Sequence, residues 1–158
     1  MISIHQSQFL PWIPYFFKVL ESDNFIVMDD VQFQKNGVQN RNMIKTPQGE
    51  SWLTIPVKQM TAAKINEVCL TKSFIYEKLL KTVELNYKKS PYFEEIFGII
   101  QDSFDNRFEN LHELNNSLLR SILSKLETNV TLKYTSDLKT VHKKDDLVIE
   151  IIEKVGDY

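Results

Sequence analysis

A chain of 158 residues with 19 Lys and Arg against 21 Asp and Glu carries a net charge of −2 and has a pI near 5.9, which sets aside the basic class of dedicated nucleic-acid binders. Its 42% hydrophobic, 11% aromatic and 25% charged residues are the composition of an ordinary soluble domain able to bury a core. No charged-then-apolar leader opens it, no apolar run approaches the ~18 residues of a membrane span, and the single cysteine, Cys69, cannot close an intrachain disulfide, so a reducing, cytoplasmic location is expected.

Neither repeats nor low-complexity tracts nor Pro/Gly-rich linkers divide the chain, so residues 1–158 are read as one domain. Met1 to Ile4 is a short apolar run suited to a buried strand, and the polar turn His5-Gln6-Ser7-Gln8 interrupts it. A helix is expected from Pro11, since proline is tolerated in the first turn. Trp12, Phe16, Val19 and Leu20 recur at helical spacing, and the helix should end by Asp23. Phe25 to Met28 is a second apolar run, stopping at Asp29-Asp30. Apolar runs on either side of a helix predict a small βαβ unit with a parallel, Rossmann-like sheet. Alternation over Gln39 to Thr46 and Trp52 to Val57, around Pro47-Gln48-Gly49, predicts a β-hairpin ending near Pro56. A further strand is expected over Ile65 to Thr71. Helices are then expected from Ile75, Leu79, Val83 and Tyr87, from Pro91 to Ile100, and from Leu111, Leu114, Leu118, Ile122 and Leu126. Val130 to Tyr134 reads as a strand and Asp145 to Val155 as a last helix. The fold class is therefore α/β: a small parallel sheet opened by a βαβ unit, then a hairpin and a helical C-terminal half.

Ligands of parallel βαβ units bind beyond the carboxyl ends of the strands. If the first two strands are neighbours, His5-Gln6 and Asp29-Asp30 face one another above the first helix's N-terminus, which favours an anion. Histidine beside carboxylate suits acid–base work. Each motif alone also reads as turn or cap chemistry. On the hairpin, Gln39, Arg41, Met43 and Lys45 share one face, so Arg41 and Lys45 could clamp a phosphate or simply be a charged exposed face. Gln32, Gln34, Asn36, Gln39, Asn40 and Asn42 lie within eleven residues, an amide density suited to hydroxyl-rich ligands and also common in surface loops. Trp12, Tyr15 and Trp52 could stack on a sugar, but their spacing favours the core. Cys69 reads as buried and inert. His112 and His142 have no ligand-spaced partner, so no metal site is expected. Walker loop, dinucleotide fingerprint and nucleophile elbow are all missing from the sequence, which names no cofactor.

The blocks HQSQFLPWIPYF, FIVMDDVQFQKN, NRNMIK, WLTIPV and, after ELNY, SPYFEEIF resemble the WbqC-like proteins over essentially the whole chain. The resemblance carries over to His5, Gln6, Pro11, Trp12, Asp29, Asp30, Gln32, Asn40, Arg41, Asn42, Lys45 and Trp52. Departures are Ser7 where proline is usual, Phe9 for tyrosine, Pro14 for glycine and Met43 for a basic residue. Relatives usually continue past the point where this chain ends, at Gly156-Asp157-Tyr158, so part of the family's site is expected to be missing.

The resemblance implies a bacterial protein of surface-polysaccharide (O-antigen) loci, for which acyl or glycine transfer to an amino sugar has been suggested. The expected catalytic groups are His5 and Asp30. Substrate contacts are expected from Gln6, Gln8, Asp29, Gln32, Lys35, Asn40, Arg41, Asn42 and Lys45. The expected ligand is a small molecule such as a nucleotide-linked amino sugar, with no nucleic acid and no membrane span; a homodimer is left open. A non-catalytic sugar-nucleotide-binding or accessory role is the alternative.

Overall fold

The computed structural model describes residues 1–58, 62–71 and 76–156. Strand β1 (Ile2–Gln6) and strand β2 (Asn24–Met28) run parallel, joined by helix α1 (Ile13–Leu20). Their register pairs His5 with Val27 and Gln6 with Met28. Strand β5 (Thr131–Tyr134) pairs with the other side of β2, also parallel, giving the order β1-β2-β5. The expected βαβ unit is therefore present, and the central strand is the one that carries the apolar run Phe25–Met28.

Period-2 alternation explains that apolarity. Phe25 and Val27 pack toward Tyr15 and Val19 of α1 and toward Leu119 and Leu123 of helix α4 (Leu111–Lys125). Ile26, between them, packs on the opposite face against Leu147, Ile151 and Val155 of helix α6 (Asp145–Val155). The second core joins the hairpin, strands β3 (Arg41–Thr46) and β4 (Gly49–Thr54), to helices α2 (Tyr76–Tyr87), α3 (Phe93–Asp105) and α4. Leu111, Leu114 and Leu118 enter this core while Leu119 and Leu123 enter the first. Helix α4 is thus the wall shared by both. A short helix α5 (Thr135–Leu138) follows β5 directly.

Several expectations need correction. Ile65 to Thr71 is no strand: Ile65–Glu67 is a 3-10 turn, and only isolated bridges, Val57 to Leu70 and Cys69 to Asn110, follow. Its backbone bonds go to different partners, Leu70 N–H to Glu109 O and Lys58 N–H to Cys69 O, so no ladder propagates. Cys69 is half-buried rather than buried. Trp12 and Trp52, expected in the core, are 61% and 48% exposed, whereas Tyr15 is buried. Trp12 precedes α1 as its N-cap, and Trp52 lies outward on the hairpin opposite Met43. The first hairpin strand is shorter than expected, β3 starting at Arg41, and the second is shifted toward the turn, β4 running over Gly49–Thr54. Helix α3 starts at Phe93, past Pro91, and runs on to Asp105. Ile75 lies outside the described residues.

Candidate functional site

The carboxyl ends of β1, β2 and β5 converge, and α4 closes them from one side. At the end of β1, the His5 ring packs on Tyr15 with centroids 4.9 Å apart. The Gln8 amide lies 3.2 Å from His5 Nδ1 and the Gln6 carbonyl 3.4 Å from the same nitrogen, so Nδ1 accepts from the amide in one tautomer and donates to the carbonyl in the other. Gln6 Oε1 accepts from the Gln39 amide at 2.8 Å. Ser7, 3% exposed, contacts His112 Nδ1 through its hydroxyl at 3.3 Å, and Asn115 Nδ2 approaches the same oxygen at 3.4 Å.

Asp29 and Asp30 follow β2. Asp29 is 2% exposed, and α5 solvates its carboxylate: the Ser136 N–H donates to Oδ1 at 3.0 Å and the Ser136 hydroxyl to Oδ2 at 2.6 Å. The Thr135 hydroxyl lies 2.5 Å from Asp30 Oδ1 and 3.1 Å from Asp29 Oδ1. It has one proton to give, and the shorter contact assigns it to Asp30; its oxygen accepts from the Asp29 N–H at 3.2 Å. Lys64 Nζ stands 3.6 Å from Asp30 Oδ2.

The histidine nearest Asp29 is His112, with Nε2 3.6 Å from Asp29 Oδ2. Helix α4 positions it. Asn110 caps the helix, accepting from the N–H groups of His112 at 2.7 Å and Glu113 at 3.3 Å, as amide side chains do at N-caps. This puts His112 in the first turn, edge-on to the Tyr134 ring at 5.4 Å. A line Asn115–Ser7–His112–Asp29 results, resembling a nucleophile, base and orienting carboxylate in composition.

Burial holds the pKa of both imidazoles below the ordinary value. For His5, burial dominates, the Gln6 carbonyl opposes it and Lys18 adds to it. For His112, burial outweighs the pull of Asp29, Glu113 and Asp137. Both rings are thus uncharged at neutral pH and keep a lone pair, so the His112–Asp29 contact is not an ion pair there. Burial also raises the Tyr134 phenol, which donates to Asn116 Oδ1 and accepts from Arg120 at 2.9 Å.

The other expected site residues lie apart from this cluster in their contacts. Arg41 spreads its guanidinium 4.0 Å over the Trp52 ring. Lys45 is exposed, its N–H donating to the Tyr87 hydroxyl at 2.9 Å. The amides of Asn40 and Asn42 hold the carbonyls of Ile55 and Leu10. Lys35 lines a separate cavity with Asn36, Asn40 and Lys58. Gln32, exposed, pairs by its backbone with Lys64, on the Asp30 side. Among the described residues, no group of three or more His, Cys, Asp or Glu is placed to hold a metal ion, and no helix is long and apolar enough to cross a membrane.

The sequence profile of the WbqC-like protein family matches residues 6–158. This chain belongs to that family. An uncharacterized protein of Mycobacterium tuberculosis is 31% identical over 158 residues, a match covering 98% of this chain and 68% of the relative. No solved structure matches it.

In this WbqC-like chain, linear reading missed His112, Thr135 and Ser136 as neighbours of Asp29, and Ser7 and Asn115 as neighbours of one another beside His112. His112 lacks a partner nearby in sequence because its partners come from β1 and β2, more than 80 positions away. One signal was present: Asn110 before a strong leucine stripe marks a helix start, and the residues just inside a start face whatever the N-terminus abuts.

Proposed function

We propose that this WbqC-like protein forms an amide on a nucleotide-linked amino sugar, as an acyl or aminoacyl (glycine-type) transferase or ligase of surface-polysaccharide synthesis in the cytoplasm. The carrying observation is the pair of uncharged imidazoles, His5 at the carboxyl end of β1 and His112 in the first turn of α4 beside the buried Asp29 carboxylate. As the sugar nitrogen attacks the acyl carbonyl, its proton passes to an imidazole and the donor's carrier leaves. His5 serves as that base; His112, oriented by Asp29, is the second candidate. Asp30, tied to Thr135 and Lys64, is better suited to place charge than to move protons. Lys64, paired with Asp30, supplies positive charge for the developing oxyanion, and Arg41 and Lys45 are left as remote contacts. Gln6, Gln8 and Gln32 offer amides to sugar hydroxyls.

The internal commitment of Asp29 supports a second reading, a pathway accessory that binds the sugar nucleotide without chemistry. One experiment separates them. The intact chain is incubated with amino-sugar nucleotides, ATP and activated acyl donors, and products are read by mass spectrometry. An acylated sugar whose formation falls roughly 100-fold in His5→Ala or His112→Ala is expected. No product with any pairing from folded protein overturns the enzyme, and tight binding insensitive to His5→Ala establishes the accessory role.

A further inference from the structure

On the other side of Asp30, a cavity of about 470 Å³ opens between the Asp30–Gln32 segment and the turn leading into α6. That volume lies within the ~300–1,000 Å³ of small-molecule sites. Its ionic lining is unbalanced: Lys64, Lys143 and Lys144 against the single carboxylate of Asp30, in a chain whose net charge is −2. Lys64 lies against Asp30; among the described residues, Lys143 and Lys144 have no carboxylate partner. A local excess of positive charge in a concave site concentrates anions.

The turn that presents these lysines is held in place. Buried Glu150 of α6 accepts from the N–H groups of Val141 at 3.0 Å and His142 at 2.9 Å, and pairs with His142 Nδ1 at 3.0 Å. Lys154, paired with Glu150, also donates to the carbonyls of Leu138 and Lys139. Lys144 itself adopts φ 56°, ψ −130°, a conformation natural to glycine and strained for lysine. A buried carboxylate is thus spent on shaping the turn, and a side chain is kept where glycine would fit more easily.

We infer that this cavity binds a phosphoryl group, with Lys143 and Lys144 as its cationic wall and Lys64 lining it beside Asp30. Assigning that phosphate to a substrate whose reacting end meets His5 rests on the function proposed above; the anion site does not. The hydroxyl of Thr135, between Asp30 and Asp29, places the two a single hydrogen-bonded link apart.

Isothermal titration of the intact chain with inorganic pyrophosphate, UDP and uridine tests the site. Pyrophosphate and UDP are expected to bind, uridine not. Lys143→Ala/Lys144→Gly, in which glycine relieves the strained backbone, should weaken both at least tenfold, while Lys88→Ala/Lys89→Ala, a distant exposed pair, should change neither. No binding of either anion by folded protein, or equal affinity in the Lys143/Lys144 variant, overturns the inference. If the anions bind as described but no acyl transfer is found, the site stands and the proposed reaction falls. Acyl transfer with unchanged KM in the variant leaves the reaction standing and removes the phosphate from this cavity.

Discussion

The carboxyl end of the parallel sheet and the β3–β4 hairpin are both dense in polar side chains, and they use them differently. On the hairpin, Asn40 and Asn42 turn inward to hold the carbonyls of Ile55 and Leu10, while Trp52 and Met43 are left facing solvent. At the sheet end, side chains mostly satisfy one another: Gln8 holds His5, Ser7 meets His112, and Ser136 and Thr135 surround Asp29 and Asp30. Amides that cap backbone groups are consumed by the fold. Imidazoles held uncharged among hydroxyls and carboxylates keep chemistry to offer a ligand, so burial of titratable groups separates the regions where polar density does not.

The comparison is sharpened most by removing one polar group from each region. Asp29→Ala strips the acceptor from the Ser136 N–H and hydroxyl, and hydrogen bonds to a charged group are worth about 1.5–3 kcal/mol each. A loss of about 3 kcal/mol is expected in urea denaturation, much of it recovered in Asp29→Asn, which keeps one acceptor oxygen. Asn42→Ala, which frees the Leu10 carbonyl and the exposed Met43 N–H, should cost about 1 kcal/mol. Equal losses would mean that the sheet end is no more interdependent than the hairpin.

A smaller effect comes from acid. His5 and His112 have folded pKa values below the 6.5 of the free imidazole. Between the folded value and 6.5 the unfolded chain binds more protons, so stability rises with pH through that window. It is fully present above about pH 7 and is lost as pH falls through 6.5 toward the folded values. Thermal melts from pH 7.5 to 5 should show this decline, and His112→Gln should flatten part of it. The hairpin, which carries no histidine, should contribute nothing, so an unchanged slope in both His5→Gln and His112→Gln would refute the desolvated-imidazole account.

The sheet was legible because Phe25 to Met28 is apolar at every position, a pattern that only a strand covered on both faces needs, and its helical flanks had clear stripes. That made the parallel pairing of β1 with β2, which puts His5 and Asp29 at the same end of the sheet, derivable. The contacts themselves were not. Asp29 meets His112 because α4 serves two cores at once, a property of tertiary packing with no local signature. The same holds for Thr135 and Ser136, which lie past the expected Val130–Tyr134 strand and open the short helix α5 whose hydroxyls reach both carboxylates. Trp12 and Trp52 misled because aromatic residues carry a strong prior for burial; Trp52 instead supports the Arg41 guanidinium. For the amides of residues 32–42 composition cannot say whether an amide caps a carbonyl, as Asn40 and Asn42 do, or faces a ligand.

The smallest expected effect tests whether the sheet end is closed upon itself. The Tyr15 ring is 1% exposed and packs on His5 and Phe25, yet its hydroxyl and Asn115 Oδ1 are both buried without a hydrogen-bond partner among the described residues. Both residues border a cavity of about 10 Å³ shared with Ser7, Gln8 and His112, and burial with the nearby Tyr134 raises the Tyr15 phenol well above its ordinary value. A buried hydroxyl without a partner costs free energy that phenylalanine does not, so Tyr15→Phe should leave stability unchanged or raise it by up to about 1 kcal/mol. Urea midpoints at constant m would read it. A loss beyond about 1 kcal/mol would show that the hydroxyl completes the Ser7–His112–Asn115 network. The sheet end would then be satisfied internally, as the hairpin is, and the case for reserving its polar groups for a ligand would weaken accordingly.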